Sequence, residues 1–427
     1  MKALLTYLLR LSCWVLGAVF VFSGFVKLID PLGTAYKFQD YFTPLGLEHL
    51  TPYVIIFSVA LSVIELLIGL NLITGIRLKL SLLMAAIFMA VMTPLTLWIA
   101  LKNPVSDCGC FGDAWIIGNW TTFYKNIVLS LMVVTIALLM HYHVSKLKPK
   151  TEWILMGFSL FFLLAIAHIN YYYLPMLDFR PYKIGNNLSQ GMIIPPGAPT
   201  DVYASTFILE KNGVKKEFTL NNYPDTTWKF VDQHTQLIKK GYTPAIHDFS
   251  IHDSNMNDLT DSLLHLNNYL FLVVAYDLNQ MQTNHLDDIQ NLYQYAQQHH
   301  YAIYLLTGST EYDVANFIQK TGLHIPICTT DPTTLKTVIR SNPGLMLLYN
   351  GSVLNKWANA ALPHFSRPLS NNPKDEMPKI PPAWEVVGLA LLYILLFWII
   401  RHRLTKGFTH KKRGNMFYHT TTNYSNK

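Results

Sequence analysis

The sequence predicts a membrane α-helical bundle of six spans that carries an α/β domain on its extracytoplasmic side. Three observations lead there. Hydrophobic residues make up 51% of the chain and charged residues only 14%, with a mean hydropathy of +0.23, whereas globular domains carry about 25% charged residues. Six apolar stretches reach the roughly 20 residues that a helix needs to cross a bilayer. Between the fifth and the sixth, apolar runs shorten to strand length and alternate with helical periodicity, the pattern of a sheet covered by helices.

The spans are expected at about 5–28, 53–74, 79–101, 123–143, 153–175 and 383–401. The first lacks a small-x-small cleavage site and continues through Phe20 to Ile29, so it reads as a retained span. Basic residues cluster in alternate connections: Lys2 and Arg10, then Arg77 and Lys79, then Lys146, Lys148 and Lys150. A tail with Arg401, Arg403, Lys406, Lys411, Lys412 and Arg413 completes the series. The positive-inside rule places all of them, and both termini, in the cytoplasm. Loops 29–52 and 102–122 and the segment 176–382 then lie outside. The net charge of +7 is therefore topological, and membrane lipids rather than nucleic acid are its partners.

Glu65 falls near mid-depth of the second span, where a charge costs about 2.5–3.5 kcal/mol. It reads either as a proton-handling or quinone-binding acid, or as one half of a helix-packing hydrogen bond. Lys27 ends the first span and is expected to snorkel to the surface. His141, His143 and His168 lack the paired spacing of metal or haem ligands.

The chain divides into a four-span region 1–145, a fifth span in 146–176, an extension 177–240, an α/β domain 241–362, a Pro-rich linker 363–382 and the sixth span with its basic tail, 383–427. In the extension, 202–210 and 214–220 alternate around Lys211-Asn212-Gly213, a hairpin, and 228–240 is amphipathic. In the α/β domain strands are expected at Tyr269–Tyr276, Tyr301–Thr307 and Ile325–Ile327, with helices at Leu286–His299, Glu311–Thr321 and Pro332–Arg340. A hairpin follows, Gly344–Tyr349 and Ser352–Trp357 around Asn350-Gly351.

Four cysteines, Cys13, Cys108, Cys110 and Cys328, are too few for a disulfide scaffold. Cys108 and Cys110 share the loop between the third and fourth spans. Cα atoms two residues apart are at most about 7 Å apart in extended chain, and a disulfide wants about 4.4–6.8 Å. Bonding therefore needs a bend, which Gly109 permits. So small a ring would be strained and hence oxidising. Asp107 and Asp113 oppose a thiolate unless Lys102 or Lys125 offsets them. Three uses of the pair stand open: redox exchange, structural packing, and metal ligation, for which loop 102–122 offers no histidine. Cys13 reads as a packing residue. Cys328 reads as a buried structural thiol or as an exchange partner of the membrane pair.

Phe22-Ser23-Gly24-Phe25-Val26-Lys27-Leu28, Glu65 with Gly69, and Asp107-Cys108-Gly109-Cys110-Phe111-Gly112-Asp113 resemble the DoxX-like membrane family, in particular its methylamine-utilisation, MauE-like branch. The resemblance covers residues 1–145 and, with the fused soluble half, is of the Bacteroidetes type. It implies thiol–disulfide chemistry at the periplasmic face through Cys108 and Cys110, exchanged with periplasmic protein thiols and linked to a quinone. Glu65, Asp107, Asp113 and Lys125 would be supporting residues. The soluble half resembles a thioredoxin-like domain, through Gly241–Ile251 as its entry strand and Ser341-Asn342-Pro343-Gly344 before the final hairpin. Asp277-Leu278-Asn279-Gln280 stands where active members carry Cys-x-x-Cys, so no nucleophile carries over. The surface around Pro343, with Cys328, is the expected partner-binding region. The alternative function is a non-enzymatic scaffold that binds a periplasmic partner through this redox-inactive domain.

Overall fold

Helix α1 (Lys2–Ile29) is the element on which the membrane region assembles, because small residues let it touch α3 (Val54–Thr74) backbone to backbone. A Cβ on Gly24 would sit 2.7 Å from Leu66 N, and one on Gly69 would sit 2.7 Å from Gly17 O and Val21 N. Lipid tails are as apolar as leucine, so such close packing is what membrane helices gain by associating. It also brings Lys27 of α1 beside Glu65 of α3. The structure is a computed structural model that describes residues 2–105, 107–143, 147–239, 241–363, 373 and 384–421.

Between these helices lies α2 (Pro31–Leu45), in a region expected to be only a loop. Its signals are local: Asp30 accepts Gly33 N–H at the N-cap, Pro31 opens the first turn, and Gly46 closes the helix at φ +67°. The helix escapes a search for spans because it is short and mixed in polarity. Helices α4 (Leu78–Lys102) and α5 (Asn119–Leu139) complete a four-helix core around Leu16, Phe20, Leu72, Ala85, Val133 and Ile136. Helix α6 (Pro149–Tyr172) packs on α3 and α1.

The next segment of chain reaches α7 (Leu188–Met192) and then a three-stranded antiparallel sheet, β1 (Val202–Lys211), β2 (Val214–Thr219) and β3 (Lys229–Lys239), in the order β2-β1-β3. The amphipathic run 228–240 is thus largely a strand, paired with β1 through Thr206↔His234 and Phe207↔Gln233. A second unit follows: α8 (Thr260–Leu264), β4 (Tyr269–Val274), α9 (Leu286–Gln298), β5 (Ala302–Thr307), α10 (Glu311–Thr321), β6 (Ile327–Thr329), α11 (Pro332–Val338), β7 (Gly344–Tyr349) and β8 (Ser352–Ala358). Its five strands run β6-β5-β4-β7-β8, with β4, β5 and β6 parallel and β7 and β8 antiparallel. Alternate residues of β4 feed two cores, Phe271 and Val273 with Leu292 and Phe317, and Leu272 and Val274 with Ile251 and Leu335. β6 begins two residues later than its apolar run suggests, since Pro326 has no N–H to give a ladder. That shift puts Cys328 inside the strand.

Helix α12 (Trp384–Thr421) supplies the last apolar span and packs on α6, where Tyr393 stacks on Phe158 and bonds Ser159 Oγ at 2.8 Å. Among the described residues six helices are long and apolar enough to cross a membrane, so this is a multi-pass membrane protein with a sheet-containing region before the last span. Ser106, Lys146, nearly all of the Pro-rich linker 363–382, and the side chains of Lys406, Lys411, Lys412 and Arg413 lie outside the described residues.

Candidate functional site

The segment joining α4 to α5 folds back into the mouth of the bundle. Asn103, at φ +48°, turns the chain, and Asn119 Nδ2 ties the loop base to Asn103 Oδ1 and Val105 O at 2.8 and 3.0 Å. Asp107 Oδ1 then accepts Gly109 N–H at 2.8 Å, and Gly109 takes φ +62°, a backbone region that a side chain disfavours. Cys108 and Cys110 are thereby turned inward as free thiols, each 7% exposed.

Each cysteine's backbone is pinned separately. Tyr41 of α2 donates to Cys108 O at 2.6 Å. Ser23 Oγ and Lys27 Nζ, one helical turn apart on α1, both donate to Cys110 O at 2.8 Å. Lys27 Nζ also donates to both oxygens of Glu65, at 3.0 and 2.9 Å, and to Ser23 Oγ at 2.7 Å. The Lys27 side chain is 6% exposed and that of Glu65 2%. Lys27 therefore does not snorkel: its buried ammonium finds one carboxylate and two neutral acceptors, as a buried charge requires. Glu65 is bound to that ammonium, which favours the packing use over a free proton carrier.

The thiols are unequal. Cys110 N–H donates to Cys108 Sγ at 3.3 Å, and Cys108 Sγ lies 3.6 Å from Thr122 Oγ1 on α5. Hydrogen bonding from the Cys110 thiol is the largest influence on Cys108. It prevails over burial and, with Thr122, the Cys110 amide and Lys125, brings the Cys108 pKa down to about 6. Cys110 is pushed well up, first by that same hydrogen bond and then by burial. One sulfur is poised to ionise and its neighbour to keep its proton.

The two aspartates feared as anions are neutralised by cations that spacing alone did not single out. Lys37 of α2 pairs with Asp107 at 2.9 Å, and Arg340 of the soluble region reaches Asp113 at 3.1 Å. Lys125 sits 4.4 Å above the Phe111 ring, which stacks on Trp115. Lys102 is exposed at the end of α4. Behind Cys110, a cavity of about 20 Å³ is bounded by Phe20, Lys27, Glu65, Phe88 and Asn126, room for about one water.

The soluble region docks beside this loop. Buried Arg340 donates through Nε to both oxygens of Asp30, at 3.1 and 2.9 Å, so one guanidinium joins α2's cap, the cysteine loop and the end of α11. Tyr276, which follows β4, meets Tyr36 hydroxyl to hydroxyl at 3.3 Å, and Lys336 lies over both rings. Gly109 and Gly112 line one wall of a cavity of about 240 Å³ between the two regions, facing Arg180, Lys336 and Arg340.

Of the residues expected to bind a partner, Pro343 is buried, and the contact between the soluble region and the membrane region is made by Arg340 and Tyr276. Cys328 is 2% exposed in the sheet core, and burial pushes its thiol up to about 11; it packs rather than exchanges. Asp277 caps a short turn, Leu278–Gln280, and no thiol stands there. Among the described residues no cluster of His, Cys, Asp and Glu could hold a metal. Sequence reasoning missed Lys37, Tyr41, Thr122, Asp30 and Arg340. Only Asp30 carried a local signal, as an N-cap before proline.

Residues 5–141 match the family described as methylamine utilisation protein MauE, and residues 203–240 match a domain of unknown function (DUF8463). No curated protein matches the chain. The first four spans with their cysteine loop are thus MauE-like, and β1–β3 coincide with the second match.

Proposed function

We propose that this protein is a thiol–disulfide oxidoreductase of the bacterial inner membrane, exchanging electrons with periplasmic protein thiols through Cys108 and Cys110. The observation that carries the reading is the placement of the pair: the bend at Gly109 turns Cys108 and Cys110 inward as free, buried thiols, their carbonyls pinned by Tyr41 and Lys27, with Cys110 N–H donating to Cys108 Sγ at 3.3 Å. That contact agrees with a Cys108 thiol drawn down and a Cys110 thiol pushed up.

In the reducing direction, Cys108 thiolate attacks one sulfur of a client disulfide, and the client's other sulfur leaves as a thiolate that takes a proton from water. Cys110 then gives its proton to water and attacks Cys108 Sγ, closing the Cys108–Cys110 disulfide and releasing the client's second sulfur as a thiolate. Two electrons pass to the client, and the reverse sequence oxidises a client dithiol. The attacking sulfur needs a low pKa, and the resolving sulfur need ionise only after the first step. Lys27, Ser23 and Tyr41 hold the loop in the bent geometry that keeps the two sulfurs adjacent.

A quinone is the class of partner that would accept or supply the pair's electrons within such a bundle. The cavity behind Cys110 is about 20 Å³, far below the roughly 300 Å³ and more of a cofactor site, so its walls do not fit one, and no step is assigned to it. The strand order β6-β5-β4-β7-β8 supports a thioredoxin-like fold without its thiols, docked on the outer face by Arg340. The basic connections support cytoplasmic termini and a periplasmic soluble region.

Titration of the purified full chain in glutathione buffers, with thiol alkylation read by peptide mass spectrometry, tests the proposal. Cys108 and Cys110 should convert together as one two-electron couple that either serine variant abolishes. Two thiols that stay fully alkylated across all buffer ratios, with no conversion, would rule the reading out.

A further inference from the structure

Another cavity lies at the other end of the bundle and plays no part in the thiol chemistry. It measures about 350 Å³ and opens to the surface where residues of α1, α3, α4 and α12 come together, within the roughly 300–1,000 Å³ typical of ligand sites. Its lining is mixed. Arg10 and Arg401 share it with the apolar Leu9, Leu72, Leu78 and Trp14 and with the polar Thr6, Thr74, Tyr142 and His143. Neither arginine forms an ion pair among the described residues, and the lining contains no carboxylate. Glu152, at the start of α6, pairs with Arg77 at 3.6 Å.

Two unpaired cations facing one space call for an anion, and apolar side chains in the same lining call for an aliphatic portion on the same molecule. The depth agrees. Arg10 lies two turns into a helix of 28 residues, which exceeds a bilayer's hydrocarbon thickness, so its head group stands at the interface rather than in the core. Trp14, 59% exposed one turn further in, is the residue type found at that level. We propose that this cavity binds the phosphate of an anionic phospholipid, with Arg10 and Arg401 on the head group and the leucines along the first part of an acyl chain. The occupant would join the first and last spans, which contribute Arg10 and Arg401 to this cavity.

The test uses the full chain in nanodiscs and counts retained lipid by native mass spectrometry, with phosphatidylglycerol, phosphatidylcholine and free inorganic phosphate as separate probes. Phosphatidylglycerol should be retained over phosphatidylcholine. Arg10→Gln or Arg401→Gln should each weaken it about fivefold, and the double variant about 25-fold. Arg403→Gln, which makes the same charge change at a position outside the lining, should leave retention unchanged. The Arg10→Lys/Arg401→Lys variant should keep the preference, which separates loss of charge from loss of fold. Equal retention by the double glutamine variant, or no preference between the two lipids, overturns the site. Arginine-dependent binding of inorganic phosphate as tight as that of the lipid overturns the acyl half, making the ligand a free phosphate.

Discussion

Replacing Arg340 with glutamine removes the guanidinium that clamps the soluble region to the cysteine loop. The side chain is 6% exposed and faces Asp30 and Asp113, whose side chains are 20% and 39% exposed. Removing one member of a buried ion pair costs about 3–5 kcal/mol. Water already reaches both acids, so the lower end applies, further discounted for Asp113, and the net is about 2–3 kcal/mol. At 1.4 kcal/mol per tenfold, the undocked population should rise by about 30- to 150-fold. The Tyr36–Tyr276 hydrogen bond remains and limits the loosening. Two readouts are needed in the same sample: hydrogen exchange across α2, which reports undocking, and alkylation of Cys108, which reports access. Both should accelerate together, because Gly109, between the thiols, faces the interdomain cavity. If α2 exchange rises while Cys108 alkylation stays within twofold of wild type, the soluble region does not gate the thiols. If neither changes, Arg340 contributes nothing to docking.

Three further outcomes follow from the same geometry. Lys27→Met and Glu65→Leu should each destabilise the bundle by about 3–5 kcal/mol by stranding a buried partner, while the double variant should cost clearly less than the sum; additive losses in denaturant melts would contradict a coupled pair. The rate of Cys108 alkylation should rise with pH to half its plateau near pH 6, and Cys110→Ala, which removes the main stabilising hydrogen bond, should move that midpoint upward toward the ordinary thiol value; a wild-type midpoint near 9 would contradict the inequality. Gly109→Ala places a side chain at φ +62° with its Cβ 3.1 Å from Lys37 Cγ, costs about 1–2 kcal/mol, and should speed alkylation of Cys110 by loosening the loop; unchanged alkylation would show that the bend is not constrained.

The spans and the alternation of the soluble region were legible because each rests on a local pattern: apolar length for the helices, period and turn residues for β4 to β8. The cysteine loop was legible as a motif. Its environment was not, because every contact that sets it comes from a distant part of the chain. Ser23 and Cys110 are 87 residues apart, and Arg340 and Asp113 are 227. Lys27 read as a snorkelling end residue because its partner was identified only as a lone acid in another span. Helix α2 carried plain cap signals but lay below the length that a span search retains. The run 228–240 is amphipathic on either a helical or an extended reading, and only its pairing with β1 decides between them.

The most direct test of the account is to trap the exchange intermediate in native membranes. With Cys110→Ser, the attacking sulfur remains and the resolving sulfur is gone, so mixed disulfides should accumulate on Cys108 and vanish on reduction. With Cys108→Ser, the buried, protonated Cys110 should form none. Adducts in both variants alike, or in neither, would contradict the division of labour between the two thiols and the redox function built on it.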